Sequence, residues 1–169
     1  FRSMVSLVTL LVYCYSIPYL KETPGRQRYF AYLSVFAGAM LWLVVADNWV
    51  GIFIGWELVG LASYLCIGFW YQQAEAAKAS TQAWLINKLG SFLLLVGLLL
   101  IKRELGSLSS TTLSVITPAT HYANRWLTVA GVCLLGAVFT KSAQFPFFSW
   151  LPSAMTAPTP ASALLHAAT

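Results

Sequence analysis

The sequence predicts an all-α polytopic membrane helix bundle, with five spans, the start of a sixth, and one helix broken by prolines. Three observations predict it. Of the 169 residues 59% are apolar and only 9% are charged, against about 45–50% and about 25% in soluble domains. The apolar residues fall in runs near the length of a membrane span. Four of the seven prolines crowd into one apolar stretch near the C-terminal end. A soluble domain of this size cannot enclose so much apolar surface, and disordered chains lack such aliphatic and aromatic content.

Other classes fall for related reasons. The formal charge is +5, but the basic residues are scattered one or two per loop, without the stripe that nucleic-acid binding needs. Cys14, Cys66 and Cys133 stand singly in apolar runs; that is the pattern of small buried hydrophobic residues, not of a disulfide framework. No signal peptide is readable, since Met4 to Tyr19 has no basic flank or small-residue cleavage site. Phe1 at the start and the apolar opening at Leu164–Thr169 suggest a piece of a longer protein or one chain of a split one.

The elements follow in order. A first run, Met4 to Ile17, is short for a span and is closed by Pro18 and the loop Lys21–Arg28, where Pro24-Gly25 signals a turn. Tyr29–Ala46 is the second, closed by Asp47-Asn48. Trp49–Tyr71 is the third, with Trp49, Trp70 and Tyr71 at its ends as interfacial aromatics. Gln72–Lys78 is a polar connection, and Ala83–Ile101 is the fourth run, closed by Lys102, Arg103 and Glu104. The long polar segment Gly106–Arg125 has room for a short surface helix. Trp126–Phe139 is the fifth run. It leads into KSAQFPFFSWLPSAMTAPTP, through which no straight helix passes. Thr159 as N-cap and Pro160 as first helical residue would open a new helix. Alternate loops hold Lys21, Arg26, Arg28 and Lys78 on one side and Arg2, Lys102, Arg103 and Arg125 on the other, so charge leaves the orientation open.

Four ionisable residues fall inside the runs: Glu57, Lys88, Lys141 and His166. A charge at the centre of a span costs about 2.5–3.5 kcal/mol on insertion scales, so each is a functional candidate. Glu57 lies mid-run, and Gly60 beside it leaves room for another helix, as do Gly51 and Gly55 in small-xxx-small spacing. Its plain alternative is a protonated glutamate bonded to a neighbouring helix. Lys141 precedes Pro146 by five residues. The missing proline N–H frees the Ser142 carbonyl, and broken helices at membrane depth survive only against protein or water. A lysine there can change protonation as a carboxylate approaches or leaves; its plain alternative is snorkelling to the interface. His166 can relay a proton near neutral pH or, neutral, satisfy a carbonyl. Lys88 sits near the start of its run and reads as a snorkelling lysine. His121 reads as a solvated loop residue.

Two strings carry a resemblance. GWELVGLASYLCIGFW (Gly55–Trp70) and TKSAQFPFFSWLPSAMTAPTPASALLHAAT (Thr140–Thr169) strongly resemble the subunit 5 family of the proton-pumping NADH:ubiquinone oxidoreductase, respiratory complex I. The K-S-A-Q, W-L-P-x-A-M, P-T-P and H-A-A-T elements stand in the family's order. YLSVFAGAMLWLVVADN (Tyr32–Asn48) is similar as well, so the resemblance runs from about Met4 to the end. It implies that Glu57 is the family's glutamate that modulates a lysine, Lys141 the lysine on the first discontinuous helix, and His166 part of the central hydrophilic axis. Two departures stand out. Asn87-Lys88-Leu89-Gly90-Ser91 replaces N-R-x-G-D, and Ser153 stands for the aspartate of W-L-P-D-A-M.

The resemblance implies a proton-translocating membrane-arm subunit, with residues 1–169 forming the input half of an antiporter-like proton channel. It implies a mitochondrial inner membrane location, with a bacterial plasma membrane as alternative. The chemistry is proton transfer. No Gly-rich dinucleotide loop or cysteine cluster is present, so no cofactor is expected in this chain. NADH, FMN, iron–sulfur clusters and ubiquinone are expected in partner subunits of the complex. Other membrane-arm subunits, a chain bearing the missing half if split, and lipids are the expected partners. The alternatives are a multisubunit cation/proton antiporter subunit and a non-pumping scaffold.

Overall fold

The structure of the protein is a computed structural model that describes residues 2–109 and 125–168. The described residues are helical, in the order α1 (Arg2–Tyr19), α2 (Arg26–Val45), α3 (Trp49–Ile67) with a 3-10 turn at Gly68–Trp70, α4 (Ala74–Leu105), α5 (Arg125–Lys141), α6 (Trp150–Ser153) with a 3-10 turn at Ala154–Thr156, and α7 (Thr159–Ala168). Among the described residues, three segments are long and apolar enough to cross a membrane: Arg26–Val45, Trp49–Trp70 and Ala74–Leu105. At the first and fifth runs stand α1 and α5, of 18 and 17 residues.

Several boundaries differ from the sequence reading. Pro18 lies inside α1 rather than closing it, because a proline one residue from a helix end removes a single N–H and little else. α4 starts at Ala74, well before Ala83. Its first two turns hold Glu75, Ala76, Ala77 and Ala79, good helix formers that hydropathy alone reads as a loop. The surface helix expected within Gly106–Arg125, and His121, fall between residues 110 and 124 and lie outside the described residues.

α2, α3 and α4 run up and down. At one end, Arg28 Nη2 of α2 donates to the Phe69 carbonyl after α3, at 3.3 Å. At the other, Trp49 N at the start of α3 donates to the Leu108 carbonyl past α4, at 3.2 Å. The Asn48 side chain caps α3 by accepting from Gly51 N at 2.7 Å, which answers one of the orphan donors of the first turn. α2 packs against α3 and α4 against α5. Gly55 faces Leu43 and Trp42 of α2, and a Cβ there would meet the Leu43 Cα at 3.0 Å. On α4, Gly90 and Gly97 stand one heptad apart. A Cβ on Gly97 would meet the Ala130 carbonyl at 3.2 Å and one on Gly90 the Ala137 carbonyl at 3.3 Å. Ala130 and Ala137 are buried opposite them. This antiparallel seam of small residues lets two backbones approach where lipid tails supply no hydrophobic drive.

α5 ends in a Schellman motif. Ala143 has φ +52. Gln144 N donates to the Phe139 carbonyl at 2.9 Å and Ala143 N to the Thr140 carbonyl at 3.4 Å, the 6→1 and 5→2 bonds of that motif. The Thr140 carbonyl also accepts from Trp150 Nε1 at 3.0 Å. The helix is thus closed right after Lys141, three residues before the proline is reached. Pro146 was expected to loosen the helix; the left-handed Ala143 is what ends it.

Candidate functional site

The charged residues inside the bundle gather where α3, α4 and the end of α5 meet. Glu57 is on α3 and forms an ion pair with Lys88 of α4. Lys88 therefore does more than snorkel: its aliphatic stem rises past Trp84, whose ring centroid is 5.7 Å from Nζ, and its ammonium reaches the carboxylate.

Lys141 is the last residue of α5. Its Nζ is 5.5 Å from the Trp56 ring centroid, in cation–π geometry, and 3.7 Å from where a Gly60 Cβ would stand. Gly60 was expected to admit another helix backbone. It instead makes room for this ammonium. Gly60 follows Glu57 by three residues, so the two lysines approach one α3 face at positions about 4.5 Å apart along its axis. No ion pair joins Lys141 to Glu57 among the described residues.

Past Lys141, the break between α5 and α6 opens a cavity of about 240 Å³. Ser63, Asn87, Lys141, Ser142, Trp150 and His166 are among the residues lining it. Lys141 and His166 thus share one cavity, to which α3 contributes Ser63, six residues on from Glu57. Ser63 Oγ donates to the Val59 carbonyl at 2.7 Å, leaving its lone pairs toward the cavity. Asn87 Nδ2 donates to the Ala83 carbonyl at 2.8 Å, while its buried Oδ1 has no partner among the described residues. A buried acceptor left so is costly unless water or a cation answers it, and the cavity has room for water. Among the described residues, no three His, Cys, Asp or Glu side chains gather as they would around a metal ion.

The sequence alone does not reveal Lys88 as the partner of Glu57, nor Trp56, Ser63 and Asn87 as parts of the site. The spacing Trp56, Gly60, Ser63 is one helical stripe and was the available signal for two of them. Asn87 and Lys88 needed knowledge of how α4 is rotated. Of the two serines that stand where acids were expected, Ser91 is buried on α4. Ser153 Oγ donates to Gln82 Oε1 at 3.3 Å, so an uncharged hydrogen bond occupies that position.

The membrane family described as "NADH:quinone oxidoreductase/Mrp antiporter, TM" matches residues 46–169. The chain belongs to this family. NADH-quinone oxidoreductase subunit L of Mycobacterium tuberculosis is 46% identical over the whole of this chain and 26% of its own length. NADH-ubiquinone oxidoreductase chain 5 of Rhizopus stolonifer is 45% identical over 98% of this chain and 25% of its own. The chain therefore spans about a quarter of the length of these antiporter-family relatives. A solved structure, the Mrp complex from Dietzia sp. DQ12-45-1b, superposes with a TM-score of 0.80 at 31% identity, covering 98% of this chain and 18% of that one. The match makes the chain part of a multi-pass membrane protein, similar to the antiporter-like subunits of NADH:quinone oxidoreductase.

Proposed function

We propose that this chain is a proton-translocating part of the membrane arm of an NADH:quinone oxidoreductase, relaying protons through Glu57, Lys141 and His166 in step with quinone reduction elsewhere in the complex. The observation that carries the reading is that Lys141 and His166 line one cavity at a helix break, and that the Lys141 ammonium meets α3 at Gly60, three residues from Glu57. The higher identity to the two oxidoreductase relatives than to the Mrp structure favours this member of the family over its antiporter branch. In this reading α1 and α5 also span the membrane, residues 142–158 are the break of a discontinuous helix, and residues 1–169 form the input half of the channel. NADH, FMN, the iron–sulfur clusters and ubiquinone reside in partner subunits, and the membrane is the mitochondrial inner membrane or, as the mycobacterial relative suggests, a bacterial plasma membrane.

The mechanism is a population shift. With Glu57 held by Lys88, the Lys141 ammonium rests on the face of Trp56, without a carboxylate. A proton then leaves Nζ into the cavity, where the Asn87 Oδ1 and Ser63 Oγ orient water and the His166 imidazole accepts. When Glu57 turns toward Lys141, the carboxylate favours the charged lysine and reloading follows. A shift of one pKa unit needs only about 1.4 kcal/mol, which a small change in the ion-pair distances supplies. Lys141→Ala in the assembled complex is expected to abolish coupled proton transport, measured in proteoliposomes, without blocking assembly. Full transport by that variant would sink the assignment.

The second reading is a subunit of a cation/proton antiporter, which the Mrp superposition supports. Copurification separates them: flavin and iron–sulfur proteins with quinone-dependent NADH oxidation in one case, small membrane antiporter subunits in the other.

A further inference from the structure

A second polar cavity lies at the opposite end of the site helices from Asn48, where α2 begins and α3 ends. It has a volume of about 290 Å³ and is lined by Gly25, Arg28, Trp70, Tyr71, Gln72 and Gln73, among others. We propose that it binds the phosphate of a phospholipid headgroup.

Its position sets the depth. The cavity opens at the end of two segments long and apolar enough to cross a membrane, Arg26–Val45 and Trp49–Trp70. Headgroups lie at that level, and Trp70 and Tyr71 flank it as interfacial aromatics do.

Its chemistry sets the ligand. The Arg28 guanidinium lies against two rings, with its central carbon 5.4 Å from the Phe69 centroid and 4.8 Å from that of Tyr71. Nη2 donates to the Phe69 carbonyl at 3.3 Å, while the buried Nε has no acceptor among the described residues. The rings and the carbonyl thus hold the cation in place in the cavity wall, where its charge faces any anion that enters. Gly25 adds a second contribution. It precedes α2 with φ 83 and no side chain to cap the helix, so the positive end of a 20-residue helix opens at the cavity wall. A Cβ on Gly25 would stand 3.3 Å from Arg28 Nη2, which shows how closely the guanidinium folds over that end. The amides of Gln72 and Gln73 supply further donors. Among the described residues no carboxylate lines the cavity, so its wall holds no anion to neutralise the cation. Donors converging from a guanidinium, a helix end and two amides suit a tetrahedral, many-oxygen anion better than a planar carboxylate. Basic pockets between helices at a membrane face hold lipid headgroups by this means.

The inference rests on the membrane reading of the helices and not on the proton relay. The test is native mass spectrometry of the intact complex containing this chain. The complex is stripped of loose lipid and then offered vesicles of equimolar phosphatidylglycerol and phosphatidylcholine. Unsubstituted complex is expected to retain one phospholipid per copy of this chain that Arg28→Gln loses, with the lipid concentration for half occupancy rising at least about tenfold. Gln73→Glu leaves the Arg28 packing intact and sets a carboxylate in the wall. It is expected to give the same loss, and it decides the matter alone if Arg28→Gln does not assemble. Equal occupancy in the unsubstituted complex and in the assembled variants overturns the proposal. A parallel titration with inorganic phosphate separates the sources: displacement of the retained lipid by millimolar phosphate would assign the site to a free anion and overturn the lipid reading. NADH-driven proton transport is recorded alongside, so failure of the relay and failure of the lipid site register separately.

Discussion

At the scale of the residue, Glu57 is the centre of the proposed relay because it pairs with one lysine and has a second on the same α3 face. Lys88 holds it in the structure, and Lys141 waits one turn along α3 over Trp56. A hydrogen bond between charged groups contributes about 1.5–3 kcal/mol, so removing one competitor shifts the balance by roughly tenfold or more. Lys88→Met is expected to leave Glu57 with Lys141 as its remaining cation and to slow NADH-driven proton transport about tenfold, whereas Lys88→Arg keeps most of it. Transport by Lys88→Met at the unsubstituted rate would show that Lys88 has no part in the relay. The sequence named Glu57, Lys141 and His166 because charges inside apolar runs stand out in one dimension. Lys88 stood out equally, yet its partner was hidden, since pairing depends on how α4 is rotated against α3.

Single backbone positions decide where the elements stop and how closely they approach. Ala143 adopts φ +52, a conformation that costs an L-residue with a Cβ roughly 1–2 kcal/mol. Ala143→Gly is expected to raise the stability of the assembled chain by up to about 1 kcal/mol, part of the relief being offset by unfolded-state entropy. A lower thermal midpoint for that variant would contradict the Schellman description. Gly90 makes the opposite case. A Cβ there would fall on the buried Thr140 side chain, whose Oγ1 is tied to the Ala137 carbonyl at 2.7 Å. Gly90→Ala should therefore destabilise by about 1–3 kcal/mol. Gly131→Ala on α5, with nothing within 4 Å, should be neutral or stabilising by up to about 1 kcal/mol. Equal thermal midpoints for the two variants would refute the small-residue seam. Helix existence was legible from hydropathy. The early start of α4 at Ala74 and the stop of α5 at Ala143 were not, because alanine signals neither a helix end nor a membrane boundary.

For the whole molecule, the composition already required a membrane, and the fold arranges two polar features within it. One is the cavity shared by Lys141 and His166; the other is the Arg28 cavity at the bundle end. The first was legible in outline, since no straight helix passes through the proline-rich stretch, although Ala143 rather than Pro146 ends α5. The second was not, because it joins the loop before α2 to the turn after α3, and no local pattern connects Gly25 to Gln73. The central claim is that protons cross through Glu57 and Lys141. It is tested most directly by the proton-to-electron ratio of the assembled, reconstituted complex bearing Glu57→Gln and Lys141→Met together. A reduced ratio with the complex intact is the predicted result. An unaltered ratio would contradict it and leave this chain a scaffold.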